Sequence, residues 1–321
     1  MDSVGPSTNL PPPPTRERCY RHPNVETGVH CTRCGKPICP DCMIPAPVGH
    51  QCPGCVADAQ REYRQGAGKQ VARARVRTTP VTKILMLAIA LGYVWELIVA
   101  GGPGSPLDGP TGQNLIDAGA LVPATGGTPF ALTGGLVGGE YWRLLSSMFL
   151  HAGLLHLAFN AYALWIFGQE VERDIGSVPM LTLFLVTGVF AGAVSYALAP
   201  GFIVAVGASG AIFGVLGAYI AYNWRRRQLA MAQARVRGAI TLLVINLVIG
   251  FSVPSIDWRA HVGGLVAGLV AGWAVDPSRP PALRRTFTIA GLLALLVGAG
   301  VLVAFRTAQI QADPSILFQN G

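Results

Sequence analysis

Residues 178–224 read VPMLTLFLVTGVFAGAVSYALAPGFIVAVGASGAIFGVLGAYIAYNW and contain no Asp, Glu, Lys or Arg. A helix needs about 20 apolar residues to cross a bilayer, so this stretch predicts two consecutive spans, at 178–200 and 205–224. Three arginines follow immediately, at 225–227. A charge-free stretch that ends in a basic run is typical of a helical membrane protein, in which Lys and Arg flank the spans.

Similar apolar runs recur along the rest of the chain. They predict five more spans, and therefore seven in all, near 81–100, 146–168, 238–254, 259–276 and 286–305. Charged residues make up only 12% of the chain and the mean hydropathy is +0.45, whereas about a quarter of a typical soluble protein is charged. The 40 glycines suit helices that pack closely in a membrane. We therefore expect an all-α membrane protein.

The distribution of Lys and Arg predicts the orientation of the spans. Sixteen of these residues lie in the segments that alternate spans place on one side, namely 61–83, 169–177, 225–237 and 277–285. Only Arg143, Arg259 and Arg306 lie on the other side. Because cytoplasmic segments carry the excess of basic residues, we expect a multi-pass protein of the cell membrane with its N-terminus in the cytoplasm and its C-terminus outside.

The segments outside the spans divide the chain further. The net charge of +8 comes from residues that flank the membrane, so we expect no nucleic-acid partner. Residues 1–15 include PPPP and are expected to form a disordered leader rather than a signal peptide. Residues 59–80 are polar and basic, which predicts a linker that meets anionic lipid head groups. The remaining domains are a Cys-rich module at 16–58, a six-span core at 81–276, and a seventh span with its tail at 277–321.

All seven cysteines lie between residues 19 and 55, in the segment expected to be cytoplasmic. With one histidine they form four pairs separated by two residues, namely Cys19 and His22, Cys31 and Cys34, Cys39 and Cys42, and Cys52 and Cys55. A tetrahedral Zn²⁺ site takes four such ligands, so the pairs predict two zinc ions. Interleaved and sequential pairing both fit the spacing, and His30 and His50 are spare candidates. Closed sites are structural, so we expect no metal in catalysis, and the module should bind a cytoplasmic protein partner or the protein's own loops.

Polar residues inside the spans are the candidates for chemistry, because they are costly in a bilayer. Ser209 opens the fourth span within Gly207-Ala-Ser-Gly210, where the glycines leave room around the hydroxyl. His261 opens the sixth span, so both residues lie near the outer ends of their spans and at the same depth. A serine hydroxyl is a poor nucleophile without a base, and histidine is the natural base. The pair therefore predicts nucleophilic catalysis.

Three further features accompany this pair. Gly264, Gly268 and Gly272 follow His261 at four-residue spacing and predict close approach to another helix. His156 and Asn160 share one helix face at the start of the second span. They suit donors to an oxyanion, and an interhelical polar clamp is the alternative. The long segment 101–145 is expected to fold onto the bundle.

Together these residues resemble the rhomboid family of intramembrane serine proteases. The resemblance covers roughly residues 81–276. Its motifs are Glu140-Tyr-Trp-Arg143, His151-x4-His156-x3-Asn160, Gly207-Ala-Ser-Gly210 and Ala260-His261-x2-Gly264-x3-Gly268. The resemblance implies that Ser209 is the nucleophile and His261 the general base.

The same resemblance implies roles for the surrounding residues. His156, Asn160 and the backbone N–H of Ser209 would form the oxyanion hole, with Gly207 on the substrate-binding side. Phe213 would stack on the catalytic histidine, and Trp142-Arg143 would hold the long first loop in the outer leaflet. The module and the seventh span would be additions to the family's six-span core.

The Cys-rich module resembles B-box-type and related treble-clef zinc modules. That resemblance implies interleaved ligand sets. One set would be Cys19, His22, Cys39 and Cys42, and the other Cys31, Cys34, Cys52 and Cys55.

These features predict a serine endopeptidase that uses a Ser–His dyad to cleave the transmembrane segments of other proteins. The acid nearest to His261 in sequence is Asp257, at the outer edge, so no third catalytic member is expected. One alternative is a non-catalytic rhomboid-like protein, which would lack the Ser or the His. Another is a transporter or channel, which would carry more polar residues in the inner half of its spans. Ser195 and Asn246 are isolated and Glu96 has no obvious basic partner, so the protease is favoured.

Overall fold

The computed structural model describes residues 17–62, 78–100, 112–128, 131–225, 229–253 and 256–318. It divides the chain into two units, Met1–Arg77 and Thr78–Gly321. The first unit contains the Cys-rich module, and the second contains all of the predicted spans. The predicted leader at 1–15 and most of the predicted linker lie outside the described residues.

The first unit is built on very little apolar material. Two short antiparallel ladders pair β1 (Glu17–Arg18) with β2 (Glu26–Thr27) and β3 (Ile44–Pro45) with β4 (His50–Gln51). A 3-10 turn covers Pro40–Cys42, and the chain is helical over 53–62. The buried cluster of the described part consists of five cysteines and Ile38. A core of this size contributes little apolar burial, as is usual in small domains that a metal ion or disulfides stabilise.

The second unit is a bundle of helices. In chain order these are α1 (Pro80–Val99), α2 (Gln113–Ala118), α3 (Arg143–Ser146), α4 (Leu154–Ala163), α5 (Gln169–Ile175), α6 (Ser177–Leu198), α7 (Ser209–Trp224), α8 (Ala230–Ser252), α9 (Trp258–Ala274) and α10 (Pro281–Ala312). A π-helical turn, Leu164–Gly168, joins α4 to α5. A hairpin of β5 (Gly126–Thr128) and β6 (Ala131–Thr133) lies between α2 and α3, and 3-10 turns cover Ser147–Phe149 and Pro314–Leu317.

The apolar helices make this a multi-pass membrane protein. Among the described residues, α1, α6, α8 and α10 are long and apolar enough to cross a membrane. The predicted span at 146–168 is instead a broken element, in which Arg143–Phe149 and Leu154–Ile175 meet at 94°; counting it as one span gives five. Gly153, just before α4, has a φ of 148°, which other residues rarely adopt.

The helices that begin at Ser209 and Trp258 are short. They have 16 and 17 residues, or about 24–26 Å, whereas the hydrocarbon core of a bilayer is about 30 Å thick. The prediction that helix runs from residue 205 is corrected, because residues 205–208 are not helical. Instead, Ala205 pairs with Leu121 of the first loop through two backbone hydrogen bonds of 2.9 and 3.0 Å. The chain therefore approaches Ser209 as an extended segment.

Candidate active site

Ser209 and His261 meet at the N-termini of α7 and α9. Nε2 of His261 lies 2.8 Å from Oγ of Ser209, within hydrogen-bond reach. The histidine is buried, and its Nδ1 has no hydrogen-bond partner among the described residues. With its proton on Nδ1, a neutral imidazole can accept the serine proton at Nε2. Among the described residues, Ser209 and His261 therefore form a hydrogen-bonded pair without a third member on Nδ1.

Close packing of α7 against α9 brings the two residues together. A Cβ at Gly264 would lie 1.9 Å from the carbonyl oxygen of Gly210, and a Cβ at Gly268 would lie 2.0 Å from that of Gly214. Both contacts are far shorter than any real Cβ contact, so only glycine fits at these positions. The predicted glycine stripe is confirmed as the surface on which α9 approaches another helix.

The imidazole of His261 is held by packing. The ring of Phe213 stacks on it, with centroids 4.4 Å apart and planes 6° from parallel. A Cβ at Gly250 of α8 would lie 3.4 Å from Nδ1, so the backbone of α8 covers that edge of the ring. Aromatic stacking of this kind contributes about 0.5–1.5 kcal/mol beyond the buried area. Packing holds the faces and the Nδ1 edge of the ring, and Nε2 makes the one hydrogen bond of the ring among the described residues.

Asp257 is engaged elsewhere. Its carboxylate caps α9 by accepting the backbone N–H groups of Arg259 and Ala260 at 3.1 and 3.4 Å. The hydroxyl of Ser195 on α6 also donates to it. The expectation that Ser195 is isolated was wrong, because this contact ties α6 to the start of the helix that carries His261.

His156 lies against the backbone that precedes Ser209. A Cβ at Gly207 would lie 2.8 Å from Cε1 and 2.9 Å from Nε2 of His156, and 3.7 Å from Oγ of Ser209. Gly207 has a φ of 124°, which only glycine adopts readily, and its N–H donates to the carbonyl of Ser147 at 2.9 Å. The structure thus brings His156, Gly207 and Ser209 together.

Asn160 points differently. It is buried, and its Nδ2 donates to the carbonyl oxygen of His156 on its own helix, at 3.1 Å. The described part of the chain has no hydrogen bond between Asn160 and Ser209 or His261. Asn side chains often bond to a carbonyl four residues earlier, because that acceptor is always nearby. The expectation that Asn160 aims at the serine is therefore not met in this conformation.

The first loop is anchored by Arg143. The guanidinium donates to the carbonyls of Ile116 and Ala120 at 2.8 and 2.9 Å and to the carboxylate of Glu140, and it lies 4.5 Å from the ring centroid of Trp142. The hydrogen bond from Arg143 holds the pKa of Glu140 below its ordinary value. These contacts agree with the expected role of Trp142-Arg143 in holding the loop.

One buried acid near the site has a partner that the sequence does not indicate. Glu96 on α1 is fully buried and accepts the backbone N–H of His151. The ring of His151 in turn lies 5.0 Å, centroid to centroid, from that of His156. The sequence motif drew attention to His151. It could not indicate that Glu96 accepts the N–H of this residue, because every non-proline residue carries a backbone N–H and its bonding leaves no pattern in the sequence.

The Cys-rich module contains two clusters that suit a metal ion. They are Cys19, His22, Cys39 and Cys42, and Cys31, Cys34, Cys52 and Cys55, and in each the ligand atoms lie within 4.8 Å of one another. This arrangement is the interleaved one. Neither cluster includes the spare candidates: His30 lies 3.0 Å from Glu17, and His50 is in β4.

The distances inside the clusters fit zinc. Tetrahedral Zn²⁺ with bonds of about 2.3 Å to sulfur and 2.0–2.1 Å to nitrogen places two sulfurs about 3.8 Å apart and a sulfur about 3.5 Å from a nitrogen. The Sγ atoms of Cys34 and Cys52 are 3.8 Å apart, and Nδ1 of His22 lies 3.2, 3.4 and 3.9 Å from the Sγ atoms of Cys39, Cys42 and Cys19. The two sets of Cys and His ligands therefore have the chemistry and spacing that Zn²⁺ requires.

Comparison with known proteins identifies a family that the second unit resembles. A family model described as the Rhomboid domain matches residues 138–278. The chain is 40% identical over 163 residues to the rhomboid protease GluP of Bacillus subtilis (strain 168). The matched stretch covers 50% of this chain and 31% of GluP. The chain is 35% identical over 136 residues to YdcA of the same bacterium, also named after the rhomboid proteases, which covers 42% of this chain and 68% of YdcA.

A plant protein is also similar to this chain. RHOMBOID-like protein 6, mitochondrial, of Arabidopsis thaliana is 35% identical over 139 residues, which covers 42% of this chain and 44% of the plant protein. The chain thus spans about a third of the length of GluP and less than half of the plant protein. The first unit and α10 lie outside the residues that the family model matches.

Proposed function

Because the chain belongs to the rhomboid family, we propose that it is an intramembrane serine endopeptidase that cleaves the transmembrane segments of other membrane proteins. The observation that carries the proposal is the 2.8 Å distance between Nε2 of His261 and Oγ of Ser209. The two residues lie on helices whose glycines allow this close approach. A buried Ser–His pair in a membrane bundle suits acyl transfer better than transport.

Ser209 is the nucleophile and His261 the general base in this mechanism. His261 takes the hydroxyl proton at Nε2 as Oγ attacks the scissile carbonyl, and the resulting imidazolium gives the proton to the leaving amine. A water molecule then repeats the sequence on the acyl-enzyme and releases the carboxylic acid. Phe213 keeps the ring in place through both steps.

The negative charge on the carbonyl oxygen needs donors. We assign this role to the backbone N–H of Ser209 and to the ring of His156, which lies beside Gly207. Asn160 joins them only after its amide leaves the carbonyl of His156. Removing one preorganised donor costs about 2.7–4 kcal/mol in some hydrolases. We therefore expect His156→Ala to slow cleavage more than Asn160→Ala, with both variants folded.

The expected substrate is a transmembrane segment whose backbone the enzyme can reach. An intact helix hides its carbonyls, so a transmembrane segment weakened by Gly or other small or polar residues should be preferred. The excess of Lys and Arg supports an N-terminus in the cytoplasm and a C-terminus outside, which places Ser209 and His261 near the outer face. Cleavage is then expected near the outer end of the substrate.

The Cys-rich module holds two structural zinc ions in this proposal. The ligands of the first ion are Cys19, His22, Cys39 and Cys42, and those of the second are Cys31, Cys34, Cys52 and Cys55. Zinc would supply the stabilisation that the small core lacks. The module takes no part in hydrolysis, and we assign it to binding a cytoplasmic protein partner.

Labelling with a serine-reactive fluorophosphonate tests the catalytic proposal. The wild type should be labelled and should cleave a model transmembrane substrate in detergent, and Ser209→Ala and His261→Ala should do neither. Ser252→Ala is the matched control, because that hydroxyl donates to the carbonyl of Val248 on its own helix. Equal labelling of the wild type and Ser209→Ala, or a folded wild type that cleaves nothing, would overturn the assignment in favour of a non-catalytic rhomboid-like protein.

A further inference from the structure

The helix α10 packs along α6. Its buried side chains include Leu292, Leu295, Ala299 and Val303, and the hydroxyls of Tyr196 on α6 and Thr307 on α10 lie 3.0 Å apart. This helix begins after the last residue that matches the family model, so the match gives no role to α10. Its length of 32 residues carries it well past a single membrane thickness, to the level where α6 ends.

Beyond α6, the C-terminal part contacts the segment that leads to Ser209. The guanidinium of Arg306 donates to the carbonyl of Ala199 at 2.6 Å. The backbone N–H of Phe202 donates to the carbonyl of Leu317 at 3.0 Å, in the turn Pro314–Leu317. Both contacts involve main-chain atoms of residues 199–208, which are not helical.

The same segment is held by the rest of the bundle three and five residues later. Ala205 pairs with Leu121 of the first loop, and the N–H of Gly207 donates to the carbonyl of Ser147. One buried cluster joins all of these parts. It includes Leu121 and Leu136 of the first loop, Tyr196 of α6, Val303 and Ile310 of α10, and Leu317 of the turn.

We infer that α10 and the turn Pro314–Leu317 position the segment that carries Gly207 and Ser209, so that the C-terminal part belongs to the catalytic unit. The inference rests on the proposed function. A non-helical segment has no ladder of its own, so its path depends on partners outside it. Two of the anchors described above, at Ala199 and Phe202, come from the C-terminal part.

The expected effect is on the rate of the chemical step. A displacement of about 1 Å at a reacting group can cost about 100-fold in rate. Loss of the C-terminal anchors should therefore slow the attack of Ser209 far more than it weakens substrate binding. Arg306 and Leu317 act through the backbone of the segment, and they are positioning residues.

Two truncations of the full chain test the inference. A protein that ends at Ala312 loses the turn and the carbonyl of Leu317, whereas one that ends at Phe318 keeps every contact described above. Each is titrated with the fluorophosphonate, and kcat and KM for a model transmembrane substrate are expressed per labelled serine. The shorter protein should show a labelling rate constant and a kcat lower by about 10- to 100-fold with a similar KM, and the longer one should match the wild type.

Arg306→Met and Arg306→Lys decide the question if the shorter truncation fails to fold. Arg306→Met removes the donor to Ala199 and should lower kcat, and Arg306→Lys should restore most of it, because the ammonium can still donate. Thr286→Ala is the control for α10, since this exposed hydroxyl donates to the carbonyl of Ala282 on its own helix, and its loss should leave kcat per labelled serine unchanged.

The outcomes separate this inference from the proposed function. If wild-type protein is labelled and active, and Arg306→Met and the truncation at Ala312 react at wild-type rates per folded molecule, the inference is wrong and the proposed function stands. If wild-type protein is neither labelled nor active, the proposed function fails, and the inference fails with it.

Discussion

The backbone N–H of His151 donates a hydrogen bond to the buried carboxylate of Glu96, 55 residues earlier on α1. One turn before Glu96, a Cβ at Gly92 would lie 2.2 Å from the carbonyl oxygen of Phe149. Two successive turns of α1 therefore hold the break between residues 149 and 151, from which α4 starts toward His156.

This relationship predicts the effect of changing Glu96. Glu96→Leu leaves the N–H of His151 buried without an acceptor, which should cost about 1–3 kcal/mol in the free energy of unfolding. It should also slow cleavage, because the position of His156 depends on the break. Glu96→Gln keeps a carbonyl oxygen at the same place and should retain most of both properties. Thermal unfolding in detergent and labelling of Ser209 measure the two effects, and a Glu96→Leu protein as stable and active as wild type would refute the role.

The packing of α7 on α9 gives a second prediction. Gly264→Ala places a methyl group 1.9 Å from the carbonyl oxygen of Gly210, so the helices must separate and His261 must leave Ser209. We expect the labelling rate to fall by about 100-fold or more. Gly300→Ala on α10 is the matched control, because nothing lies within 4 Å of the added atom. The control should be active and up to about 1 kcal/mol more stable. Equal labelling of the two variants would contradict the close-packing argument.

The parts of this site that could be predicted are those with a side-chain signal. Ser209 and His261 could be paired because both open apolar runs at the same depth, and the glycine stripe follows His261 at helical spacing. The two Cys/His clusters that could hold a metal ion were visible in their spacing, although the spacing fitted two pairings and the structure has the interleaved one.

What could not be predicted depends on main-chain atoms distant in sequence. The acceptor role of Glu96, the donation from Arg306 to Ala199 and the pairing of Leu121 with Ala205 all involve backbone groups, which every residue carries alike. The orientation of Asn160 could not be predicted either. Its amide donates to the backbone carbonyl of His156, and this acceptor competes with any ligand for the amide.

The ion pair of Glu140 and Arg143 predicts a pH dependence. Because Arg143 holds the pKa of Glu140 below its ordinary value, the pair stabilises the folded state above the ordinary carboxyl pKa of about 4.3. That stabilisation is lost as the pH falls through the lower folded-state pKa. The pair is partly exposed, so we expect about 1 kcal/mol or less. Thermal unfolding of the wild type and Glu140→Gln should differ at pH 7, and the difference should shrink as the pH falls below the ordinary carboxyl pKa; a difference that stays constant would show that the charge of Glu140 is irrelevant.

The zinc module predicts a stoichiometry and a pairing. Elemental analysis of reduced, freshly purified protein should find two zinc ions per chain, and Cys31→Ser should remove one. His30→Ala should keep both, because His30 pairs with Glu17 and not with a cluster. The double variant Cys19→Ser/Cys39→Ser discriminates the pairings, since both residues belong to one interleaved set. It should lose one zinc, whereas sequential pairing would cost two.

The last prediction concerns the independence of the two units. The chain divides between Arg77 and Thr78, and each unit has its own buried clusters. The proposed zinc ligands end at Cys55, and the match to the family model begins at residue 138. Two closed four-ligand sites offer no open position for substrate or water, so they cannot share in the hydrolysis. Removal of residues 1–60 should therefore leave a folded protein that cleaves a model transmembrane substrate in detergent within about twofold of the full-length rate. The full-length Cys31→Ser protein is the companion variant, because it keeps the segment and disrupts one site. Side-by-side cleavage rates per labelled serine decide the matter, and a folded but inactive truncation would mean that the module is coupled to Ser209 and His261.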